Sequence, residues 1–309
     1  MKRVCILILL SVALCCRAQV TLKPTDYGMN TLVAPLYFGP NAFPVPDMLD
    51  GSVSHDLRAE LAGDGYFGFQ KDLTADIFAR VHIPLFTDRV NLTLWMPVME
   101  FYRSIDERLN TCRVLPENKD KAMHGKGAGD VYISTDIMFL RETARRPAMS
   151  VRAAVKTASG GSYEYARHYD APGYFFDLSI GKSFYFGKGE GGEWDSSNIS
   201  LRIAASGGFL CWQTDNGRQN DAVMYGALVR LKTEYVSVEE VFSGYVGWET
   251  DGDRPMTLKT RVAGHIPAPK GKGSFEPYLM YQYGIHDFPF HQIRVGLCYN
   301  IDILRKKKN

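Results

Sequence analysis

Long apolar runs are missing from most of this chain. After residue 18 no stretch approaches the ~20 consecutive apolar residues that a helical span of a bilayer requires, so a helical membrane protein is excluded beyond that point. Charge of one sign is also missing: a net charge of +2 over 309 residues gives no basic field for nucleic acid, and no nucleic-acid partner is expected. Cysteine is scarce, at six residues, and Cys5, Cys15 and Cys16 crowd the start. The other three, Cys112, Cys211 and Cys298, are odd in number and far apart, which implies neither a disulfide framework nor a zinc site. No cofactor motif stands out either. Gly125-Lys126-Gly127-Ala128-Gly129 lacks the Gly-Lys-Ser/Thr ending of a phosphate loop and reads as a loop entering a strand.

The first residues do carry a pattern. Lys2 and Arg3 precede an apolar or small-residue run from Val4 to Cys16, and Cys16 and Ala18 occupy the −3 and −1 positions of a cut before Gln19. This is the layout of a secretory signal peptide over residues 1–18, too short to anchor as a helix. Lipid attachment at Cys15 or Cys16 is a second reading, disfavoured by Leu14 immediately before Cys15.

From about residue 57 the chain alternates. Ala75, Ile77, Ala79, Val81, Ile83 and Leu85 fall on one face and Asp76, Phe78, Arg80 and His82 on the other. Side chains of a strand point alternately to opposite faces, so this is a strand with one apolar and one mostly polar side. The same rhythm returns at Val90–Val98, Val131–Phe139, Val151–Lys156, Phe176–Ile180, Ile199–Ala205, Val223–Lys232, Leu258–Val262, Glu276–Tyr283 and Gln292–Ile301. Leu57–Phe69 alternates but carries Gly63 and Gly65 on its apolar face, and Tyr235–Trp248 calls for a bulge to keep Glu240 from facing outward. About twelve strands of roughly ten residues result, the length a tilted strand needs to cross a bilayer.

An exported chain that crosses a membrane without apolar helices must close its strands, because only helices and barrels satisfy every backbone group in lipid. The predicted fold is therefore all-β, a single transmembrane antiparallel β-barrel over residues 57–304, with a basic tail at 305–309. Its expected place is the outer membrane of a Gram-negative bacterium, in contact with outer-membrane lipid. An even strand count puts both barrel ends on one side, and the longest polar connection, about Arg103–Gly129, then lies on the other. Aromatic residues at strand ends (Phe67 and Phe69, Phe101 and Tyr102, Tyr174–Phe176, Phe184–Phe186, Trp212, Trp248) suggest interfacial girdles. The competing architecture is a secreted sandwich or lipocalin-like barrel, in which the apolar face meets a core.

Gly127-Ala128-Gly129-Asp130-Val131-Tyr132, followed by Val151 to Gly161, resembles the outer-membrane barrels named for the phenol-degradation meta-pathway. Members show a Gly-x-Gly-Asp strand start and then a strand ending in a Lys-x-Pro-Thr-Gly-like turn, where this chain has Ala158-Ser159 in place of Pro-Thr. The strand region Asp170–Phe184 also fits. The resemblance covers about a third of the chain and implies a barrel of about twelve strands that passes small, often hydrophobic, compounds.

The polar face carries the functional signal. Arg80, Arg152, Lys156, Arg202, Arg230, Arg261 and Arg294, with Arg58, Lys232 and Lys259, should point into the lumen; Asp76, Asp136 and Asp177, with Glu60, Asp64 and Glu276, oppose them. Two readings follow: a basic pore that attracts anions, or a salt-bridge lattice that fills and stiffens a narrow barrel, the second slightly favoured. Residues 19–56 lack strand rhythm and are rich in proline and aromatics, which suits either a lumenal plug or a periplasmic extension. The expected function is passage of a small solute; the alternative is a non-conducting structural or surface-interaction barrel.

No enzyme is expected. Ser52, Ser54, His55 and Asp56 are sequence neighbours, whereas triad members come from separate segments. An outer-membrane lipid hydrolase would need His and Ser together on the lipid face, yet His82 points to the lumen. His286, Asp287 and His291 read as loop polarity rather than a metal site, and neither a metal nor another cofactor is assigned. Oligomeric state is left open.

Overall fold

A computed structural model describes residues 34–303, apart from 86, 115, 117–118, 161–166, 168–171, 187–198, 214–218, 249–250 and 270–272. The signal-peptide reading and the basic tail lie outside the described residues.

Twelve strands close into one antiparallel barrel. They are β1 (Leu57–Gly68), β2 (Leu73–Pro84), β3 (Val90–Arg103) and β4 (Tyr132–Leu140). Next come β5 (Ala148–Lys156), β6 (Gly173–Phe186), β7 (Ile199–Gln213) and β8 (Gln219–Lys232). The last four are β9 (Val236–Gly247), β10 (Met256–Gly264), β11 (Ser274–His286) and β12 (Phe290–Ile301). Each strand pairs with its sequence neighbours, and β12 pairs with β1 from Leu57↔Ile301 to Gly68↔Phe290, which removes the sheet edges. Two short strands, His124–Gly127 against β3 and Ile266–Pro267 against β11, flank the barrel proper.

The alternation sorts side chains as the pleat requires. Leu61, Ile77, Phe139, Leu178, Ile203, Val223, Leu279 and Val295 point out and are exposed. Asp76, Ser134, Asp136, Arg152, Asp177 and Arg294 point in and are buried. Exposed apolar residues ring the whole barrel, whereas a soluble monomer rarely shows a contiguous patch beyond ~600 Å². The polar groups lie inside and the apolar groups outside, so the apolar face has lipid rather than a core as its partner. This is a transmembrane barrel.

Register shows where the alternation shifts. Ile77 pairs with Met99 but Phe78 pairs with Pro97, so Val98 is an extra residue in β3. Pro97 has no N–H to give the ladder, and a bulge is where proline is tolerated in a sheet. The shift turns Glu100 and Tyr102 inward and Phe101 outward. The bulge expected in β9 is not there: Val236↔Gly264 through Gly244↔Met256 is continuous. Glu240 therefore does face outward, where Thr260 Oγ1 donates to its Oε2 at 2.7 Å. A neighbouring hydroxyl on β10 partly satisfies the carboxyl without breaking the ladder.

The end of the barrel holding Leu57 and Ile301 has compact connections such as Leu85–Arg89 and Thr233–Tyr235; we call it the turn end. The opposite, loop end carries the β3–β4 connection, with helices α1 (Asp106–Thr111) and α2 (Lys119–Met123). Several expected girdle aromatics do lie outward at strand ends, among them Phe67, Phe101, Phe176, Phe186 and Trp248. Tyr102, Phe175 and Trp212 do not: they are 5%, 1% and 1% exposed and turn into the lumen.

Candidate functional site

The Gly-x-Gly-Asp start of β4 has a structural cause. Gly129 N donates to Pro97 O, and a Cβ at Gly129 would lie 2.7 Å from that oxygen, so only glycine fits there. Asp130 Oδ1 accepts from Ser159 N and Gly160 N at 2.9 and 2.8 Å, and its carboxylate pairs with Lys156. The two stretches that suggested a family are thus one loop-end knot, in which Lys156 is 3% and Asp130 1% exposed.

Most of the inward charges meet partners. Arg152 Nε donates to Asp177 Oδ2 at 2.6 Å, and Arg294 makes two bonds of 2.7 Å to Asp64. Arg261 and Arg58 share Glu276, at 2.5 and 3.2 Å. Asp136 accepts from Thr93 and Ser134. Asp76 accepts from Asn41 Nδ2 at 2.7 Å, and the same amide reaches Glu100. Aromatic faces steady the guanidinium groups, with Arg294 3.9 Å and Arg80 4.9 Å from the Phe78 ring centroid.

Many of these partners come from the N-terminal segment. Ala34, Leu36, Tyr37, Phe38, Ala42 and Phe43 form a core with Tyr132, Phe175, Leu210, Trp212 and Tyr245, all near the loop end. Leu36 N donates to Gly252 O of the β9–β10 connection, and Arg108 Nη2 donates to Leu36 O. Farther along, Asp47 binds Arg80 (2.5 Å) and Lys259, while Arg152 Nη2 donates to Asp47 O at 2.7 Å. Asp50 then pairs with Arg230 (2.6 Å) and Arg202 (3.1 Å), close to the turn end. The segment 34–51 thus threads the lumen from loop end to turn end before joining β1. Its backbone has no ladder, so the arginines and Tyr245 Oη, which donates to Phe43 O, meet its carbonyls.

Contact with the wall is close. A Cβ on Gly181 would sit 2.0 Å from Asp50 O, and Gly51 adopts φ +82° against the backbone of Ala148 and Gly181. Only glycine at both positions lets the two backbones touch.

Filling is incomplete. A cavity of about 220 Å³ lies on the loop side, with Trp95, Tyr132, Phe175 and Pro44 in its wall. A second of about 350 Å³ lies on the turn side, among Arg58, Arg230, Lys232, Arg261 and Glu276. Asp47, Met48, Arg80, Lys259 and Arg294 border both. His82 and Met280 of the wall border both as well, so Asp47 and Met48 are the segment residues common to the two spaces.

Arg80, Asp136, Arg152 and Arg294 border the loop-side cavity and Arg230 and Arg261 the turn-side one, but alternation alone did not show that Asp47, Asp50 and Asn41 would meet such side chains. Other candidates do not converge. His286 Nδ1 lies 3.0 Å from Asp287, yet His291 instead takes Tyr281 as its partner. His82 Nδ1 pairs with Thr93 Oγ1 inside the barrel. His55, Asp56 and Asp302 bring ligand-type atoms within 4.8 Å of one another on an exposed surface, a grouping between distant residues that spacing could not reveal.

No protein-family model matches this chain, and no curated relative is found. Solved structures with a similar course include the KdgM porin (8% identity, 78% of this chain and 98% of that one, TM-score 0.44). Others are the translocator domain of the autotransporter NalP from Neisseria meningitidis (9%, 79% and 88%, 0.43) and the CymD monoaromatic hydrocarbon channel (8%, 89% and 98%, 0.37). Likenesses this remote leave the functional reading to the geometry.

Proposed function

We propose that this barrel resides in the outer membrane of a Gram-negative bacterium and passes a small solute when its threaded N-terminal segment shifts. One observation carries the reading: the lumen holds a cavity on each side of the segment, and Asp47 and Met48 of the segment border both, together with Arg80, His82, Lys259, Met280 and Arg294 of the wall. A barrel serving as a rigid post would gain by filling that space, since interiors approach crystal packing density. The segment acts as a plug whose charged anchors are Asp47 and Asp50, each bridging two basic side chains from different strands. On this reading the chain is a channel and not an enzyme.

The structural-barrel alternative draws on the same ion pairs, which stiffen the wall as well as hold the segment. Solute uptake separates the two. Vesicles carrying the purified protein are tested for osmotic swelling in small neutral and charged solutes, beside vesicles carrying Asp47→Ala/Asp50→Ala. The proposal expects slow swelling with the native chain and at least tenfold faster swelling with the variant. A variant that inserts and folds but admits nothing supports the structural reading.

A further inference from the structure

We propose that Arg80 and Lys259 form a carboxylate site that Asp47 fills in cis, and that the solute displacing it is a small aromatic carboxylate. The solute class rests on the passage reading above; the site does not.

The cationic half is built into the wall. Arg80 stands on β2 and Lys259 on β10, with β1, β12 and β11 between them, yet each reaches a different oxygen of Asp47. Arg80 is held without Asp47: its guanidinium rests on Phe78 and lies 3.8 Å from Glu60. Removing the Asp47 carboxylate would leave Arg80 beside Glu60 at 3.8 Å and would take from Lys259 the carboxylate it binds. Two cations set to receive one carboxylate form a recognition site rather than a general field.

Asp47 belongs to a segment and not to the wall, and its side chain is 41% exposed where the two cavities meet. A carboxylate arriving from the loop side can therefore reach the same two cations as the segment withdraws. The walls of that approach set the rest of the molecule. Trp95 stacks on Tyr132 with ring centroids 5.1 Å apart and an interplanar angle of 15°, and Phe175 lies 6.5 Å from Trp95. A cavity of about 220 Å³ with an aromatic wall and a cationic floor suits a single ring bearing one carboxylate.

Benzoate is the probe, with benzamide as its neutral match, acetate as its ringless match and inorganic phosphate as a different anion. Binding to the full chain in detergent micelles is read by calorimetry for the native protein, Asp47→Ala, Asp47→Asn and Asp47→Ala/Lys259→Gln. Asp47→Asn keeps the segment's shape and guards against a folding defect in the alanine variant; heat-modified gel mobility reports the closed barrel in each. The proposal expects benzoate to bind both single variants at least tenfold more tightly than the native chain. Adding Lys259→Gln should abolish that gain, and benzamide, acetate and phosphate should show none of it. A gain absent from both single variants, a gain that survives Lys259→Gln, or equal binding of benzamide or phosphate overturns it. Vesicle uptake keeps the two readings apart. Benzoate bound but never admitted upholds the site and refutes passage, whereas neutral solutes admitted with no benzoate binding upholds passage and refutes the site.

Discussion

Leu178 offers a test in which lipid and water predict opposite outcomes. It lies near the middle of β6, between Val151 of β5 and Gly207 of β7, and its outward side chain is 44% exposed. If the outside met water, Leu178→Arg would be a surface change, within about ±0.5 kcal/mol of neutral. If it meets hydrocarbon near the midplane, arginine costs roughly 2–4 kcal/mol, or about 30- to 800-fold in the folding equilibrium. Trp248→Arg is the internal control. Trp248 is 75% exposed just past the loop end of β9, where the same charge should cost roughly 0–1 kcal/mol. Equilibrium unfolding in denaturant from lipid vesicles, read by tryptophan fluorescence and heat-modified gel mobility, gives both values. A Leu178→Arg protein as stable as the native one, or a cost equal to that of Trp248→Arg, would refute the lipid-facing assignment.

Three further outcomes follow from particular contacts. Lys156→Met removes the cation facing buried Asp130 and should cost about 3–5 kcal/mol, measured by the same unfolding assay. Gly51→Ala places a Cβ 2.6 Å from Gly181 N at φ +82°, so it should lose about 1–3 kcal/mol or loosen the segment, read as faster proteolysis within residues 34–51. Partial burial raises the Glu142 carboxyl, but the N–H of Ser183 and the guanidinium of Arg202 outweigh it and hold the group below the usual range. A depressed carboxyl lends stability that is present above the unfolded value of about 4.3 and lost as pH falls through the folded one. Acid titration should therefore show a loss of stability below that value which Glu142→Gln flattens.

Much of the barrel was legible because a strand's period is two. Alternation assigns each residue of Ala75–Leu85 to a face without reference to any neighbour, and the same rule sent Arg152, Arg202, Arg230 and Arg294 inward. Partners across the lumen were not legible, since a period tells the face and not the opposite wall. The N-terminal segment was opaque for a related reason: a chain with no ladder has no rhythm, and its prolines remove the donors a ladder would use. One signal was available. The inward basic residues outnumber the inward acids of the strands, and the missing charge had to come from elsewhere; Asp47 and Asp50 supply part of it. Bulges were misplaced because Glu240 looked costly outside, whereas Thr260 on the next strand lessens that cost and Pro97 forces the extra residue in β3. Trp212 and Tyr102 were assigned to girdles by residue type, but the segment's aromatic core and the β3 bulge claim them for the lumen.

The central claim, that the threaded segment closes a path through the barrel, is tested most directly by tying that segment to the wall. Met48 packs on Gly226 of β8, where a Cβ would lie 2.8 Å from Met48 Sδ, so Met48→Cys with Gly226→Cys places a disulfide between them. Single-channel currents are recorded in planar bilayers from Asp47→Ala/Asp50→Ala carrying this pair, oxidised and then reduced. The same unpinned chain with its native cysteines alone, Cys112, Cys211 and Cys298 among them buried, serves as the reference. The account predicts current steps under reduction that cease on oxidation, while the reference conducts in both states. Equal currents from the oxidised and reduced pair, or no current from any of these proteins, would contradict it.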